Sequence, residues 1–513
     1  MAISRRPQEA VVISVPAPLG GWNARDALAN MDPADAISLE NWFPGTSNVQ
    51  MRYGFSNHVT GITGEQVQSL MVWNGATSSQ MIAATDAGRM YNAGTAGAVG
   101  AAQVSSLSNG KWQYVNMSTT AGNYLIAVNG ADKAVIYNGT YHRDGDGAPY
   151  DVAAVNTVDC INVNLHKNRL WFVQENSLDA WYLPTSAIGG TAVKFSLNSI
   201  AQFGGALVAM YTWTIDAGYG VDDMAAFLTS EGEVIVYRGS DPASASTWAL
   251  VGVWHIGRPI GNRCGLKYGG DLLLITQDGV QPMSGALQSS RTAPRVSITD
   301  KIRKAVSDAV TMYGGNFGWE LIDFPQANQL YLNVPVVSGA QEQYVMNTIT
   351  KNWCKFSGWD ANCFAVFDDD LYFGSLGFVG KAWDTYADAG ASITGTAIQA
   401  FNYLGNRSQQ KQFTMIRPIF FTDGSPSVFG GVNVDFDTAD ISTTLQSVTP
   451  AGALWDTAVW DTALWAPDLS PVAPWQGAQG VGYCCAPRVK ATVTATRIQW
   501  AASDIVFRRG GVL

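Results

Sequence analysis

Imidazole, thiol and carboxylate groups are where chemistry would have to start, and this chain holds few in useful arrangements. Its four histidines are His58, His142, His166 and His255. None lies within four residues of another, so no HExxH-type ligand pair can form. The six cysteines, Cys160, Cys264, Cys354, Cys363, Cys484 and Cys485, contain no CxxC pair, which excludes a zinc ribbon or a thioredoxin-type site. Adjacent Cys484 and Cys485 form the one arrangement open to redox chemistry, and buried inert thiols in a reducing compartment are the plainer expectation. Asp144, Asp146 and Asp151 in RDGDGAPYD have the spacing at which a calcium loop begins. The bidentate Glu that closes such a loop is missing, so a solvated turn competes with a metal site. The 240–248 stretch, SDPASASTW, is the nearest match to the aspartate box of sialidases, but it is misphased and lacks the glycine. No GxSxG elbow or GxxxxGK[ST] phosphate loop occurs. No catalytic, cofactor-binding or metal residue is therefore assigned, and the expectation is a protein that is not an enzyme and carries no cofactor.

The elements around these residues read as strands. Hairpins are expected at 81–91, 124–137, 170–182, 226–237 and 272–280, with looser copies at 330–334 with 343–346 and at 363–366 with 371–373. In most of them an apolar run meets a turn of Gly, Asn or Asp, residues that tolerate positive φ, before a second apolar run. Steps between Ile82, Leu125, Leu170, Phe227, Leu273, Leu330 and Leu371 are 43, 45, 57, 46, 57 and 41 residues. A strand-built period of about 40–50 residues is the signature of propeller blades. The fold class expected is all-β: a β-propeller of about six to eight blades over 61–390, followed by a β-sandwich-like domain over 391–513. In that second domain strands are expected at 395–404, 413–421, 432–436, 489–500 and 505–508. Short helices are expected at 32–42, with Asp32 as cap and Pro33 at the first turn, and at 299–310. The extended 1–60 segment should pack along other elements, with Trp42 and Phe43 anchoring it to the propeller or to a neighbouring subunit. Trp455, Trp460 and Trp465, spaced by five, fit neither a strand face nor a helix face. They are either a rigid aromatic loop on its own sheet or anchors for a partner.

Composition narrows the partners. Only 14% of the residues are charged, against about 25% in ordinary domains, so the surface is built from uncharged polar groups. Lys+Arg 31 against Asp+Glu 41 gives a net charge of −10, without the basic footprint of a sequence-specific DNA reader. The basic opening around Arg5 and Arg6 leads only to a short apolar run broken by Pro16. No stretch reaches the roughly 18 apolar residues of a membrane helix, so neither a signal peptide nor a membrane span is expected.

One stretch is recognisable. PLGGWNARDALANMDPADA at 18–36, LENWFP at 39–44 and VQMRYGF at 49–55, with TQDGVQPMS at 276–284, NWCKF at 352–356 and the WDTA repeats, together resemble the tail nozzle, or packaged-DNA-stabilisation (tail tubular), proteins of short-tailed bacteriophages. The resemblance implies a structural virion protein without catalysis. It would form a homohexameric ring at the tail tip, below a portal–adaptor complex, holding packaged DNA and guiding its ejection. Adaptor protein, tail fibre or spike proteins and the host envelope would be its partners, with assembly in the host cytoplasm. Double-stranded DNA would pass without specific binding. The acids Asp222, Asp223, Glu231, Glu233, Asp368, Asp369 and Asp370, placed by their hairpins in turns, are candidates to line that lumen; each is equally readable as an outer-rim carboxylate. The competing function is a propeller that binds glycans, or a sialidase-like glycosidase acting on cell-surface polysaccharide.

Overall fold

The computed structural model describes residues 10–216, 221–288, 297–337, 340–441, 444–449 and 469–512. Strands dominate, and the α-helices among the described residues are Met283–Gln288 and Arg303–Tyr313. The chain divides into two compact units. One holds Asn57–Glu342 and Asp360–Lys381; the other holds Met1–Ser56, Gln343–Trp359 and Ala382–Leu513. This division differs from the expected boundaries at 60 and 390. The N-terminal segment groups with the C-terminal strands, and the 343–359 excursion joins them.

In the first unit seven strands begin successive sheets: Val67–Asn74, Gln113–Thr119, Cys160–His166, Leu207–Asp216, Gly265–Tyr268, Glu320–Phe324 and Cys363–Phe367. Each pairs antiparallel with the strand that follows it. Each of these first strands packs against the next, and Cys363–Phe367 packs against Val67–Asn74. The apolar clusters lie between neighbouring sheets, not within one. Ile82 and Met90 meet Leu125 and Val135; Ile126 and Ile136 meet Val163 and Phe172; Trp171 and Ala180 meet Phe227 and Ile235. Another cluster joins Cys363 and Tyr372 of the seventh sheet to Val67 and Met81 of the first. Second strands are thus covered on both faces, which is why they read as unbroken apolar runs. The seventh sheet also takes in Phe55–Thr60 from the start of the unit. Its tight turn carries Asp368 at φ 47° and Asp369 at φ 65°, the conformation that short hairpins require.

The second unit contains two sheets. One runs Ser470–Val472, Gln409–Thr422, Ile498–Val512, Val49–Met51 and Trp42–Pro44, with Ala10–Pro16 beside Ile498–Val512 and Gln476–Gly482 beside Gln409–Thr422. The other includes Trp353–Ser357, Asp35–Glu40, Ile393–Gln399, Cys485–Val493 and Ser427–Val434. Phe413, Ile416, Ile505 and Phe507 of the first sheet share a core with Val432 and Cys485 of the second.

The helix expected at 32–42 is not formed. Asp32 makes only a turn, its carboxylate accepting the Ala34 N–H at 2.8 Å. The chain then runs as the strand Asp35–Glu40, paired with Ile393–Gln399 and Gly21–Trp22. Tertiary pairing of Leu39 and its neighbours outweighs the local cap signal, as weak propensities allow. The second helix forms, as a 3-10 turn Asp300–Ile302 followed by Arg303–Tyr313 with Val306 and Ala309 buried. The 489–500 run breaks into Cys485–Val493 and the long strand Ile498–Val512.

Candidate functional site

All seven first strands of the first unit line one cavity of about 340 Å³. Their polar side chains are spent on the neighbouring backbone. Asn116 donates to the Val72 carbonyl at 2.8 Å and Gln113 to that of Ile161 at 2.8 Å. Asn162 accepts the Met210 N–H at 3.1 Å, and Asn164 donates to the Met210 carbonyl at 2.7 Å. The Cys363 thiol donates to the Val67 carbonyl at 3.8 Å, from the last sheet to the first. These bonds stitch strands that no ladder joins.

A charged pair crosses the same cavity. One terminal nitrogen of Arg263 donates to the carbonyls of Gln68 at 3.1 Å and Trp112 at 2.9 Å and to the Ser69 hydroxyl. Its other terminal nitrogen lies 3.7 Å from Glu320, whose carboxylate accepts the Phe364 N–H at 3.1 Å. The guanidinium sits 5.0 Å from the Phe317 ring centre. Burial pushes the Glu320 carboxyl upward, against the pull of Arg263 and the Phe364 N–H. These ties run from Arg263 to the first two sheets and through Glu320 to the seventh, so the pair acts as a clamp between sheets. The sequence reading missed both residues, although paired asparagines in the apolar strand Cys160–His166 were a readable sign of a polar interior.

The expected site residues are scattered. Asp223 accepts the Thr214 hydroxyl at 2.7 Å and lies 3.7 Å from Lys167. Glu231 pairs with Arg258 at 2.7 Å and Asp370 with Lys381 at 2.7 Å. Glu233 is fully buried, its carboxylate accepting the N–H groups of Gln202 and Phe203 at 2.9 and 3.0 Å; it can line no lumen. Asp368 and Asp369 are exposed at their turn. The Asp222 side chain lies outside the described residues, as do Trp455, Trp460 and Trp465. Trp42 and Phe43 are buried inside their own unit, Trp42 against Phe420 and Trp500, Phe43 against Phe356 and Trp383. Neither offers a ring to a neighbouring subunit.

The calcium-like loop uses its carboxylates internally. Asp151 accepts the N–H groups of Gly145 and Gly147, Asp146 that of Arg143, and Asp144 that of Val152 together with the Thr157 hydroxyl. Among the described residues no group of three potential ligands is poised for a metal. All six cysteines are buried and unbridged. Burial pushes the Cys484 thiol up to about 11 and Cys160 up to about 12, far from thiolate chemistry at neutral pH.

His166 gives a measurable consequence. It is 2% exposed, with Nδ1 3.2 Å from the Thr212 hydroxyl and Nε2 without a partner. Burial, helped by Lys167 and opposed by Asp223, lowers its pKa from 6.5 to about 4. The unfolded chain therefore binds a proton that the folded chain refuses. Stability from this group is complete above pH 6.5 and is lost as pH falls from 6.5 towards 4. Between pH 7 and pH 5 the loss is about 2 kcal/mol. Urea midpoints should show that loss in the wild type and a shallower slope in His166→Gln; equal slopes would contradict it.

No family model and no curated protein matches the chain. Solved structures that resemble it include BBS1N in complex with ARL6DN, soaked with lead, at 11% identity and TM-score 0.40, over 66% of this chain and 99% of that one. The same complex soaked with mercury gives 16% identity and TM-score 0.28, over 42% and 64%. The extracellular domain of the BT4673 one-component system from B. thetaiotaomicron gives 9% identity and TM-score 0.31, over 70% and 43%. The chain thus spans 64% and 43% of the latter two. Likenesses at this level bear on neither activity nor partners.

Proposed function

We propose that this chain is a structural virion protein, the nozzle subunit of a short phage tail, whose first unit is a closed seven-bladed β-propeller and whose second is a β-sandwich-like platform. The observation that carries the reading is the cyclic packing of the seven first strands, with apolar cores between the first four consecutive sheets and between the last and the first. The sequence resemblance in the 18–55 region supplies the assignment to a tail. Around the cavity lined by the first strands, asparagine and glutamine side chains are tied to neighbouring backbone. That suits a part selected to hold its shape while packaged DNA presses on it and then passes.

Duplex DNA must slide through such a nozzle, and every Lys or Arg contact to phosphate adds sequence-independent affinity by releasing counterions. A chain with a net charge of −10 disfavours such contacts. Two solution measurements test the reading together. Sedimentation of the purified chain should show a discrete hexameric species, and a DNA titration at physiological salt should show negligible binding. A monomer at every concentration, or tight DNA binding that weakens steeply with salt, would overturn the nozzle reading.

A further inference from the structure

A second cavity in the first unit, of about 510 Å³, is walled by carboxamides: Gln66, Gln68, Asn316, Gln341 and Asn362, with the Phe317 ring beside them. Some of their polar atoms are bonded within the protein. Asn316 donates to the carbonyls of Pro335 and Val336 at 2.9 and 3.0 Å, and Gln68 accepts the Gly110 N–H at 3.1 Å. Gln341 donates to the Asn362 side-chain oxygen at 3.3 Å. Two atoms of that last pair remain over. Gln341 Oε1, an acceptor, and Asn362 Nδ2, a donor, are buried without hydrogen-bond partners, on residues each 6% exposed. A buried donor or acceptor left unpaired is unfavourable, so each of these atoms favours a partner from outside the protein.

We infer that this cavity is a binding site for a neutral carbohydrate, a function that does not depend on the nozzle reading. The two open atoms belong to amides already bonded to each other, so they sit close together and require opposite partners. A hydroxyl oxygen accepts from one and donates to the other at a single point. A peptide carries its donor and its acceptor on separate atoms and does not meet that demand as simply. No ionised side chain lines the cavity, which selects against charged sugars. Val336 and the exposed Val337 offer apolar surface to the C–H face of a sugar ring. The volume falls within the range of roughly 300–1,000 Å³ usual for ligand sites.

The test is a titration of the full chain with neutral trisaccharides of glucose, galactose and N-acetylhexosamine, followed by saturation-transfer NMR and calorimetry. At least one should bind with a dissociation constant of about 1 mM or tighter. Asn362→Leu should weaken that binding by about tenfold or more, the worth of a hydrogen bond to an otherwise unpaired buried group. Should that variant fail to fold, Val337→Arg, at a cavity position 57% exposed, blocks entry without altering the amides and should give the same loss. Three results would each overturn the inference: no saturable response to any of these sugars at about 10 mM, binding that survives both variants, or binding of extended peptides in place of sugars.

Discussion

Replacing Arg52 by lysine is expected to lower the thermal midpoint of its unit by roughly 10 °C, and replacing it by methionine by at least as much. Arg52 is 2% exposed and uses its whole donor fork. Nε donates to the Asn41 side-chain oxygen at 2.8 Å, one terminal nitrogen to the Tyr53 carbonyl at 3.0 Å, and the other to the Ser357 carbonyl at 2.6 Å. Both terminal nitrogens also bind the Asp388 carboxylate, at 2.8 and 2.6 Å. The guanidinium lies 5.1 Å from the Trp359 ring centre. One side chain therefore joins the three separate stretches that make up the second unit. Lysine keeps the charge but not the planar fork, so the bidentate contact is lost. Methionine leaves the Asp388 carboxylate without its arginine, and breaking a buried pair from one side costs about 3–5 kcal/mol. Calorimetry of both variants checks this, and unchanged midpoints would show that the stretches hold together without it.

Arg263→Met is expected to destabilise the first unit by about 3 kcal/mol at neutral pH, by the same one-sided loss of a buried charge. It would open the ties to Gln68, Ser69 and Trp112 and leave Glu320 with the Phe364 N–H. The Glu320 carboxyl already titrates above its ordinary 4.5. Without Arg263 it would rise further, so the folded state would hold a proton that the unfolded state gives up. Stability from such a group is present below the unfolded value and lost as pH rises through the folded one. The defect should therefore shrink as pH falls from 7 towards 5. Adding Glu320→Gln should recover much of it, because the stranded charge is gone. A defect independent of pH, together with additive single and double variants, would mean that Arg263 and Glu320 do not act as a pair.

How much of this was legible in the sequence follows from which strands are covered. The second strands, such as Leu170 to Val173 and Leu330 to Val334, lie between neighbouring sheets and are apolar on both faces, so they stand out as runs. Among the first strands, Gln113–Thr119 and Cys160–His166 carry Gln113, Asn162 and Asn164 to the cavity and show no comparable run, which hid the polar interior and its Arg263–Glu320 clamp. Of the two long steps, Leu273 to Leu330 reflects the helices between the fifth and sixth sheets, and Leu170 to Phe227 reflects the added strands and the 197–206 connection between the third and fourth. The 32–42 segment misled because Asp32 and Pro33 imitate a helix start, whereas long-range pairing decides the outcome.

The recognisable stretch proves to be a set of backbone locks. A Cβ on Gly54 would lie 2.0 Å from the Ala387 carbonyl oxygen, and one on Gly20 would lie 2.1 Å from Asp35. Asn41 accepts from Arg52 and from the Ser357 N–H at 2.9 Å. Asn23 donates to Asp35 at 2.8 Å. Residues that make this region resemble a family hold its fold rather than its chemistry, which is why the resemblance could suggest an assembly role without pointing to a site.

Electron microscopy of the purified full-length chain tests the nozzle assignment most directly. The account predicts class averages of closed sixfold rings around an open lumen. Isolated single chains at every concentration, with no ring of any symmetry, would contradict it.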